Sequence, residues 1–250
     1  MKNSRERLDI LLVRKGFFDS RSKARAVIGA GLVLVDNRPA DKAGHRFDIN
    51  ADIKIRGDNC PYCSRGGLKL EKALKEFKID VNGLVCLDAG ASTGGFTDCL
   101  LQHGACRVYA VDVGYGQLDW KLRKDERVVV VERTNIRYLS RKIVPEPVEL
   151  VTIDTSFISL KLVVPPLLSF LVPDGRIIAL VKPQFEVGRK QVGKGGVVRD
   201  EKLRNRTVRE LGDWFVGELG LEVLGVTTSP VKGAKGNVEF LMMLQVNSGP

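Results

Sequence analysis

The sequence predicts an α/β protein whose mostly parallel, seven-stranded sheet is covered by helices on both faces, preceded by a small α+β module. From residue 66 onward, apolar strand patterns alternate with helical patterns. A glycine-rich turn joins the first of these strands to a helix. Positive charge is concentrated in residues 1–67, which hold fourteen Lys/Arg against eight Asp/Glu. These observations indicate a basic module attached to a nearly charge-balanced domain.

Composition limits the partners and the compartment. The chain has 250 residues, of which 44% are hydrophobic, and its formal charge of +10 suits a polyanion such as nucleic acid. The longest apolar stretch, 162–173, has twelve residues including Pro165 and Pro166, far fewer than the ~20 that a spanning helix needs. No apolar segment follows the charged N-terminus as it would in a signal peptide, so we expect a cytoplasmic protein without a membrane partner.

The basic module is predicted to contain two short helices and a hairpin. Leucines at 8, 11 and 12 have helical spacing, and Gly16 can end that helix. Ser20 can cap the second helix, and residues 32–39 predict a strand that enters a turn. Basic side chains lie around the helix junction and predict a phosphate-binding surface, with a solvated basic face as the alternative: Arg7, Arg14, Lys15, Arg21, Lys23 and Arg25.

Residues 7–16, 20–25 and 31–35 together resemble the alpha-L RNA-binding module, the S4-type domain first seen in a small-subunit ribosomal protein. In that family the two helices lay their basic face along structured RNA. The resemblance implies an S4-like RNA-binding domain over residues 1–60. We expect an interdomain linker at 61–65 and a second domain over 66–250.

The second domain is predicted to begin with an amphipathic helix over 66–78, whose apolar stripe contains Leu70, Ala73, Leu74 and Phe77. Further helices are predicted at 95–102, 160–171 and 201–219, and Pro165 and Pro166 leave the boundaries of the middle one open. Seven strands are predicted at 84–88, 108–112, 128–131, 150–154, 176–181, 221–227 and 238–244.

The turn after the first of these strands predicts a ligand site. Its spacing, Gly90-x-x-x-Gly94-Gly95, differs from the G-x-G-x-x-G pattern that binds a pyrophosphate. Asp88 ends the strand, where a carboxylate would repel a pyrophosphate but attract a cationic ligand. Asp112 ends the next strand 24 residues later, a distance that suits a ribose-diol contact. We expect Gly94 to leave room for the ligand.

This pattern resembles the class I (Rossmann-like) methyltransferases, whose methyl donor S-adenosyl-L-methionine carries an ammonium and a cationic sulfur. The resemblance implies the same cofactor here, with adenine contacts after the third strand. The implied cofactor-binding residues are Asp88, Gly90, Ala91, Ser92, Gly94, Gly95, Asp112, Thr134 and Asn135.

Four charged residues are the candidate catalytic groups. Asp154 and Lys182 lie at the ends of predicted strands, Glu239 is near the start of the last strand, and Lys69 is on the first helix of the domain. Ligands bind at the carboxyl ends of strands in open α/β sheets, so Asp154 and Lys182 are well placed. Taken singly, each residue also has a structural interpretation.

Together the four residues resemble the Lys–Asp–Lys–Glu tetrad of the ribose 2′-O-methyltransferases related to the heat-shock protein FtsJ. Residues 5–245 as a whole resemble the TlyA family, also called haemolysin A, in which an S4-type domain precedes this catalytic domain. The resemblance implies methylation of ribosomal RNA, free or in ribosomal subunits. The implied target is a cytidine of the large subunit and, in some members, of the small subunit as well.

Two lysines beside two carboxylates suit the removal of a proton from a ribose hydroxyl, which is a poor nucleophile at pH 7. Free lysine has a pKa of ~10.4, so a lysine base needs a neighbouring cation to lower it. We therefore expect Lys182 to be the general base and Lys69 to be that neighbour. Asp154 and Glu239 are expected to orient the two amines.

Five cysteines fit a reducing compartment better than a disulfide framework. Cys86, Cys99 and Cys106 are expected to be small buried hydrophobes. Cys60-Pro-Tyr-Cys63 has zinc or redox spacing, but the chain has no second C-x-x-C pair and only two isolated histidines. A plain linker without metal is favoured over both alternatives.

Two other functions stay open at this stage. One is a non-catalytic RNA-binding or ribosome-assembly factor, which the complete tetrad argues against. The other is a pore-forming haemolysin, which only the family name suggests.

Overall fold

The computed structural model describes residues 5–18, 20–29, 31–55, 60–188 and 191–247. The chain divides into two compact units, Met1–Cys60 and Pro61–Pro250. Residues 61–65, expected as a linker, fall within the second unit. There the Tyr62 side chain is buried, and the Gln102 amide donates a hydrogen bond of 2.9 Å to the Pro61 carbonyl. In the part of the chain that is described, no helix has both the length and the apolarity needed to cross a membrane.

The first unit packs two helices against short strands. Its elements are β1 (Arg5–Arg7), α1 (Leu8–Arg14), α2 (Arg21–Gly29), β2 (Val33–Val35), β3 (Arg38–Pro39), β4 (Arg46–Asp48) and β5 (Ile53–Ile55). Strand β2 pairs antiparallel with β3 and β5, and β1 pairs with β4. Asp36 and Asn37 adopt φ values of 50° and 61°, which suit the tight turn of the hairpin. The predicted helices and hairpin are confirmed.

A buried carboxylate organises the basic face of this unit. The Asp9 side chain is fully buried and accepts hydrogen bonds from Arg7, Arg21 and Arg25 at 2.9–3.0 Å. The hydrogen bond from Arg7 is the main reason that the pKa of Asp9 lies well below its usual range. The three guanidinium side chains remain 38–54% exposed. Three of the predicted RNA-binding cations are thus held in a fixed cluster by an acid that sequence analysis missed.

The other predicted cations of this unit lie at its surface. Arg14 forms a 3.2 Å ion pair with Glu6, and the Lys15 ammonium donates to the Ala51 carbonyl at 2.9 Å. Lys23 is exposed on α2.

The second unit contains the large sheet. Its helices are α3 (Gly66–Glu76), α4 (Gly95–Gln102), α5 (Trp120–Arg123), α6 (Leu160–Leu167), α7 (Pro183–Glu186) and α8 (Glu201–Leu219). Its strands are β6 (Val85–Ala89), β7 (Arg107–Val111), β8 (Val128–Val131), β9 (Val148–Ile153), β10 (Leu171–Val181), β11 (Leu221–Thr228) and β12 (Phe240–Val246). The strand order is β11-β12-β10-β9-β6-β7-β8, and β12 is antiparallel to both its neighbours. The other strand pairs of this sheet are parallel, which confirms the predicted sheet.

Several sequence expectations for this unit are wrong in detail: the last strand, for example, begins at Phe240 rather than 238. Helix α6 ends at Leu167 rather than 171, because a short 3-10 turn replaces it after the two prolines. Strand β10 begins at Leu171 rather than 176, with an irregular register between Leu171 and Arg176. Cys106 is exposed, whereas Cys86 and Cys99 are buried as expected. All five cysteines lie in described segments, and none forms a disulfide.

The topology brings several chain segments to one edge of the sheet. The parallel strands β6, β7, β9 and β10 all end there, and the antiparallel β12 begins there. Helices α6 and α8 pack on one face through residues such as Val163 and Phe215, and α4 packs against β6 and β7. Polar residues at this edge are therefore held by elements with buried, rigid cores.

Candidate active site

Four charged side chains from different elements meet at this edge. Lys69 lies on α3, Asp154 and Lys182 directly follow β9 and β10, and Glu239 directly precedes β12. The Lys69 ammonium lies 2.7 Å from Glu239 Oε2 and 3.8 Å from Asp154 Oδ2. The Lys182 ammonium lies 2.5 Å from Asp154 Oδ1. The structure thus brings together the four residues predicted from sequence, and the Asp154 carboxylate is shared between both lysines.

Burial makes this charge pairing necessary. Lys69, Lys182 and Glu239 are only 9%, 7% and 2% exposed. An unpaired charge at such positions would lose its hydration without compensation, whereas two ammonium groups and two carboxylates balance one another. Lys182 also donates a 2.8 Å hydrogen bond to the Ser156 hydroxyl, which fixes its amine from a second side. Sequence analysis missed Ser156, although its place in the loop after β9 was a usable signal.

A cavity of about 630 Å³ lies between this tetrad and the glycine-rich turn. Its wall includes Gly90, Ala91, Ser92 and Gly95 of the predicted cofactor loop. Phe157 and Phe185, also missed by sequence analysis, line it with ring centroids 5.1 Å apart. Asp88, Gly94, Asp112, Thr134 and Asn135 are not among its described lining residues.

The glycines of the turn serve packing within the protein. Gly90 has a φ of 88°, and a Cβ there would lie 2.8 Å from the Asp154 carbonyl oxygen. Gly90 therefore lets the turn lie directly against the loop that carries Asp154. A Cβ at Gly94 would lie 2.2 Å from Leu122 Cδ1 and 2.8 Å from Leu118 Cδ1. The expectation that Gly94 leaves space for a ligand is wrong, because leucine side chains occupy that space.

Asp88 is placed differently from the sequence expectation. Its side chain is fully buried and accepts hydrogen bonds from Thr97 on α4 at 2.7 Å and from Thr152 on β9 at 3.2 Å. Burial raises its pKa to about 7. Successive strand residues face opposite sides of a sheet, and the Asp88 side chain lies beneath α4 rather than in the cavity. It ties α4 to the sheet and does not reach a ligand in this cavity.

Asp112, Thr134 and Asn135 order neighbouring loops. The Asp112 carboxylate accepts hydrogen bonds from the backbone N–H of Ser92 at 2.8 Å and of Gly114 at 2.6 Å. The Thr134 N–H donates to the Asp112 carbonyl, and the Asn135 side chain accepts from the Arg137 N–H. These bonds hold the glycine-rich turn to the ends of β7 and β8. Direct cofactor contacts by the three residues remain a prediction.

Cys63, the second cysteine of the C-x-x-C pair, is anchored beside the turn. The Cys63 thiol donates to the Thr93 carbonyl at 3.2 Å, and its backbone N–H donates to Asp98 at 2.7 Å. Within the described ranges, no group of three or more His, Cys, Asp or Glu side chains is arranged to hold a metal ion.

Comparison with known families explains this arrangement. The FtsJ-like methyltransferase family matches residues 62–246, and the S4 domain family matches residues 6–53. The chain belongs to the FtsJ-like methyltransferase family. The predicted fold class, methyltransferase activity and S4-type domain are thereby confirmed.

Relatives match this chain over nearly its whole length. The 16S/23S rRNA (cytidine-2'-O)-methyltransferase TlyA of Mycobacterium tuberculosis is 49% identical over 98% of this chain and 91% of its own. The 23S rRNA (cytidine-2'-O)-methyltransferase TlyA of Campylobacter jejuni is 34% identical over 90% of this chain and 81% of its own. A solved structure of a hemolysin-named protein from Streptococcus thermophilus has a TM-score of 0.78 at 43% identity, covering 99% of this chain and 90% of that chain. The resemblance to the TlyA family is confirmed.

The position of Asp88 leads to a pH prediction. Its folded pKa of about 7 lies above its unfolded value, so the folded protein keeps a proton that the unfolded chain releases between about pH 4 and 7. Stability is therefore lost as pH rises through this window. Asp88→Asn has no carboxyl proton to lose at this position. We therefore expect the free energy of unfolding of the variant, relative to that of the wild type, to be higher at pH 8 than at pH 5 by about 2–3 kcal/mol, at ~1.4 kcal/mol per pKa unit. Urea unfolding at both pH values measures the difference.

The same variant tests whether the Asp88 side chain contacts the cofactor. Its affinity for S-adenosylmethionine should stay within about threefold of wild type, because the carboxylate lies beneath α4. A loss of tenfold or more in a stably folded Asp88→Asn protein would return Asp88 to the cofactor site.

Proposed function

We propose that this chain transfers the methyl group of S-adenosylmethionine to the ribose 2′-hydroxyl of a cytidine in large-subunit ribosomal RNA. The observation that carries the proposal is the buried tetrad of Lys69, Asp154, Lys182 and Glu239 beside the glycine-rich turn. The names of the Mycobacterium and Campylobacter relatives support the choice of a cytidine and of the 2′ oxygen. Both names include large-subunit RNA, and one adds 16S RNA.

The residues of the cavity fit the proposed methyl donor. Gly90, Ala91 and Ser92 form part of the cavity wall, and the partly exposed Asp154 carboxylate is the proposed partner of the ammonium of the methyl donor. Asp112 at the end of β7 is the proposed partner of the ribose diol, and Thr134 and Asn135 the proposed partners of the adenine. When bound, S-adenosylmethionine supplies an electrophilic methyl group on a cationic sulfur.

We assign the proton transfer to Lys182. Its Nζ atom, in the neutral amine form, accepts the proton of the ribose hydroxyl as the oxygen becomes the nucleophile. Asp154 and Ser156 orient this atom from two sides. Lys69, held by Glu239, shares the Asp154 carboxylate with Lys182. The Asp154 carboxylate therefore contacts both amines, at 2.5 Å from Lys182 and 3.8 Å from Lys69.

The cavity suits a hydroxyl better than a base nitrogen as the acceptor. A base nitrogen with an available lone pair needs no base to remove a proton, so two lysines and two carboxylates would serve no purpose for it. No cysteine nucleophile is among the described lining residues. The exposed ring of Phe157 beside Phe185 offers a surface on which a nucleotide base can stack.

The first unit is the proposed RNA clamp. Its S4 domain match and the arginine cluster around Asp9 suit phosphate contacts with ribosomal RNA, alone or in a subunit. The protein would then act in the cytoplasm, where that RNA is found. The complete tetrad favours an enzyme over a non-catalytic assembly factor, because RNA binding alone does not require four paired charges in a cavity.

The product identifies the acceptor atom. Ribosomal RNA is incubated with the protein and S-adenosylmethionine labelled in the methyl group, and the labelled RNA is then hydrolysed in mild alkali. A blocked 2′-hydroxyl cannot attack its own phosphate, so we expect a gap in the hydrolysis ladder at one cytidine. Label in the released base without a gap would contradict ribose methylation, and absence of label would favour the assembly-factor alternative.

Replacing Lys182 tests the proposed base. Lys182→Ala should lower the rate of methyl transfer by at least about 10³-fold, in the range expected for loss of a general base. Its affinity for S-adenosylmethionine should stay within about tenfold of wild type. Lys72→Ala is the matched control, because Lys72 is on α3 but its ammonium donates at an exposed site to the Thr228 carbonyl. Near-normal turnover in Lys182→Ala would remove Lys182 from the mechanism.

A further inference from the structure

The cavity carries more positive charge than the tetrad requires. Arg65, Lys232 and Lys235 also line it, and all three are exposed. With the four charges of the tetrad, the described lining residues include five cations and two carboxylates, a net charge of +3. A methyl donor with a cationic sulfur does not need this excess, and S-adenosylmethionine carries no phosphate. The excess charge therefore points to an anionic part of the other substrate.

Lys232 and Lys235 belong to a closed loop, residues 229–239, which we call the lysine loop. Its base is closed by a 2.9 Å hydrogen bond from the Ser229 N–H to the Glu239 carbonyl. A Cβ at Gly233 would lie 1.9 Å from Glu239 Oε1, so the loop lies directly against the tetrad. Lys235 has a φ of 57°, which residues other than glycine rarely adopt. The loop therefore holds Lys235 in a strained backbone conformation beside the tetrad.

A buried amide holds the lysine loop in place. Asn237 is 3% exposed, and its side-chain carbonyl accepts a 3.1 Å hydrogen bond from the Val198 N–H. Its side-chain NH₂ donates to the Gly196 carbonyl at 2.9 Å. The Lys235 ammonium also lies near Gly196, 4.0 Å from where a Cβ on that residue would be. Asn237 thus joins the lysine loop to the segment around residues 193–198.

We propose that Lys232 and Lys235 bind RNA phosphates next to the target ribose, and that Asn237 is the positioning residue that holds them there. The proposal rests on the proposed function, because it takes the second substrate to be RNA. Ammonium groups are effective point-charge partners for phosphates. Because the loop carrying them also contacts Glu239, phosphate binding would place the ribose at the edge of the tetrad.

The double variant Lys232→Gln/Lys235→Gln tests the phosphate contacts in the full chain. Binding of large-subunit ribosomal RNA is measured without turnover from 50 to 300 mM salt, and affinity for S-adenosylmethionine is measured separately. We expect RNA affinity to fall about tenfold at low salt. The slope of log K against log salt should become shallower by about 1.5, at ~0.7–0.9 per phosphate contact. Affinity for S-adenosylmethionine should not change.

The matched control is Lys202→Gln/Arg209→Gln, which removes the same charge from exposed positions on α8. A change in slope no larger than in this control would overturn the proposal. So would a selective loss of affinity for S-adenosylmethionine, which would place the lysines at the cofactor carboxylate. RNA binding is measured without methyl transfer, so its result does not depend on which atom is methylated. An error in the proposed ribose acceptor would appear only in the labelled RNA product of the wild-type protein.

Asn237→Ala tests the positioning role. When Lys232→Gln/Lys235→Gln is added to the Asn237→Ala protein, RNA affinity should change by less than about threefold. The reason is that the loop without Asn237 no longer presents both ammonium groups together. Unchanged affinity for S-adenosylmethionine shows that the variant is folded. If that affinity is lost, Asn237→Asp is measured instead, since it keeps the acceptor for the Val198 N–H. If replacing the two lysines still lowers RNA affinity tenfold in the folded Asn237 variant, Asn237 does not position them.

Discussion

The shared carboxylate of Asp154 is the interaction on which the arrangement of the active site depends. It lies 2.5 Å from the ammonium of Lys182 and 3.8 Å from that of Lys69, so it joins β10 to α3 across the end of the sheet. Glu239 completes the charge balance from β12. Because three of these four groups are almost fully buried, removing any partner would leave an uncompensated charge in the site. Catalytic geometry and local stability therefore have the same origin.

The surrounding backbone is shaped to keep this cluster in place. The glycine-rich turn lies against the Asp154 carbonyl at Gly90, and the lysine loop lies against the Glu239 carboxylate at Gly233. Beneath the turn, burial keeps the pKa of Asp88 near neutrality, and its threonine partners fix α4 to the sheet. The acids at the ends of β6 and β7 therefore act on the scaffold in the structure, while those near β9 and β12 pair with the lysines of the cavity.

Much of this could be predicted from the sequence because it follows from topology. Asp154 and Lys182 end parallel strands and Glu239 begins an antiparallel one, so one edge of the sheet collects them. Side-chain direction was harder, since being at a strand end does not decide which face Asp88 occupies. The leucines beside Gly94 come from a segment more than twenty residues away, and the buried Asp9 depends on arginines from β1 and α2. Such contacts are set by tertiary packing, which periodicity does not encode.

The coupling between the two lysines tests the central claim most directly. Single-turnover rates of methyl transfer are measured for Lys69→Met, Lys182→Met and the double variant at saturating S-adenosylmethionine and RNA. If Lys69 acts only through the carboxylate it shares with Lys182, the double variant should be within about threefold of Lys182→Met, although Lys69→Met alone is slower by about 10²-fold. If the double variant is instead another 10²-fold slower than Lys182→Met, the effects of the two replacements are independent. That result would contradict the claim that Lys69, Asp154 and Lys182 act as one coupled unit.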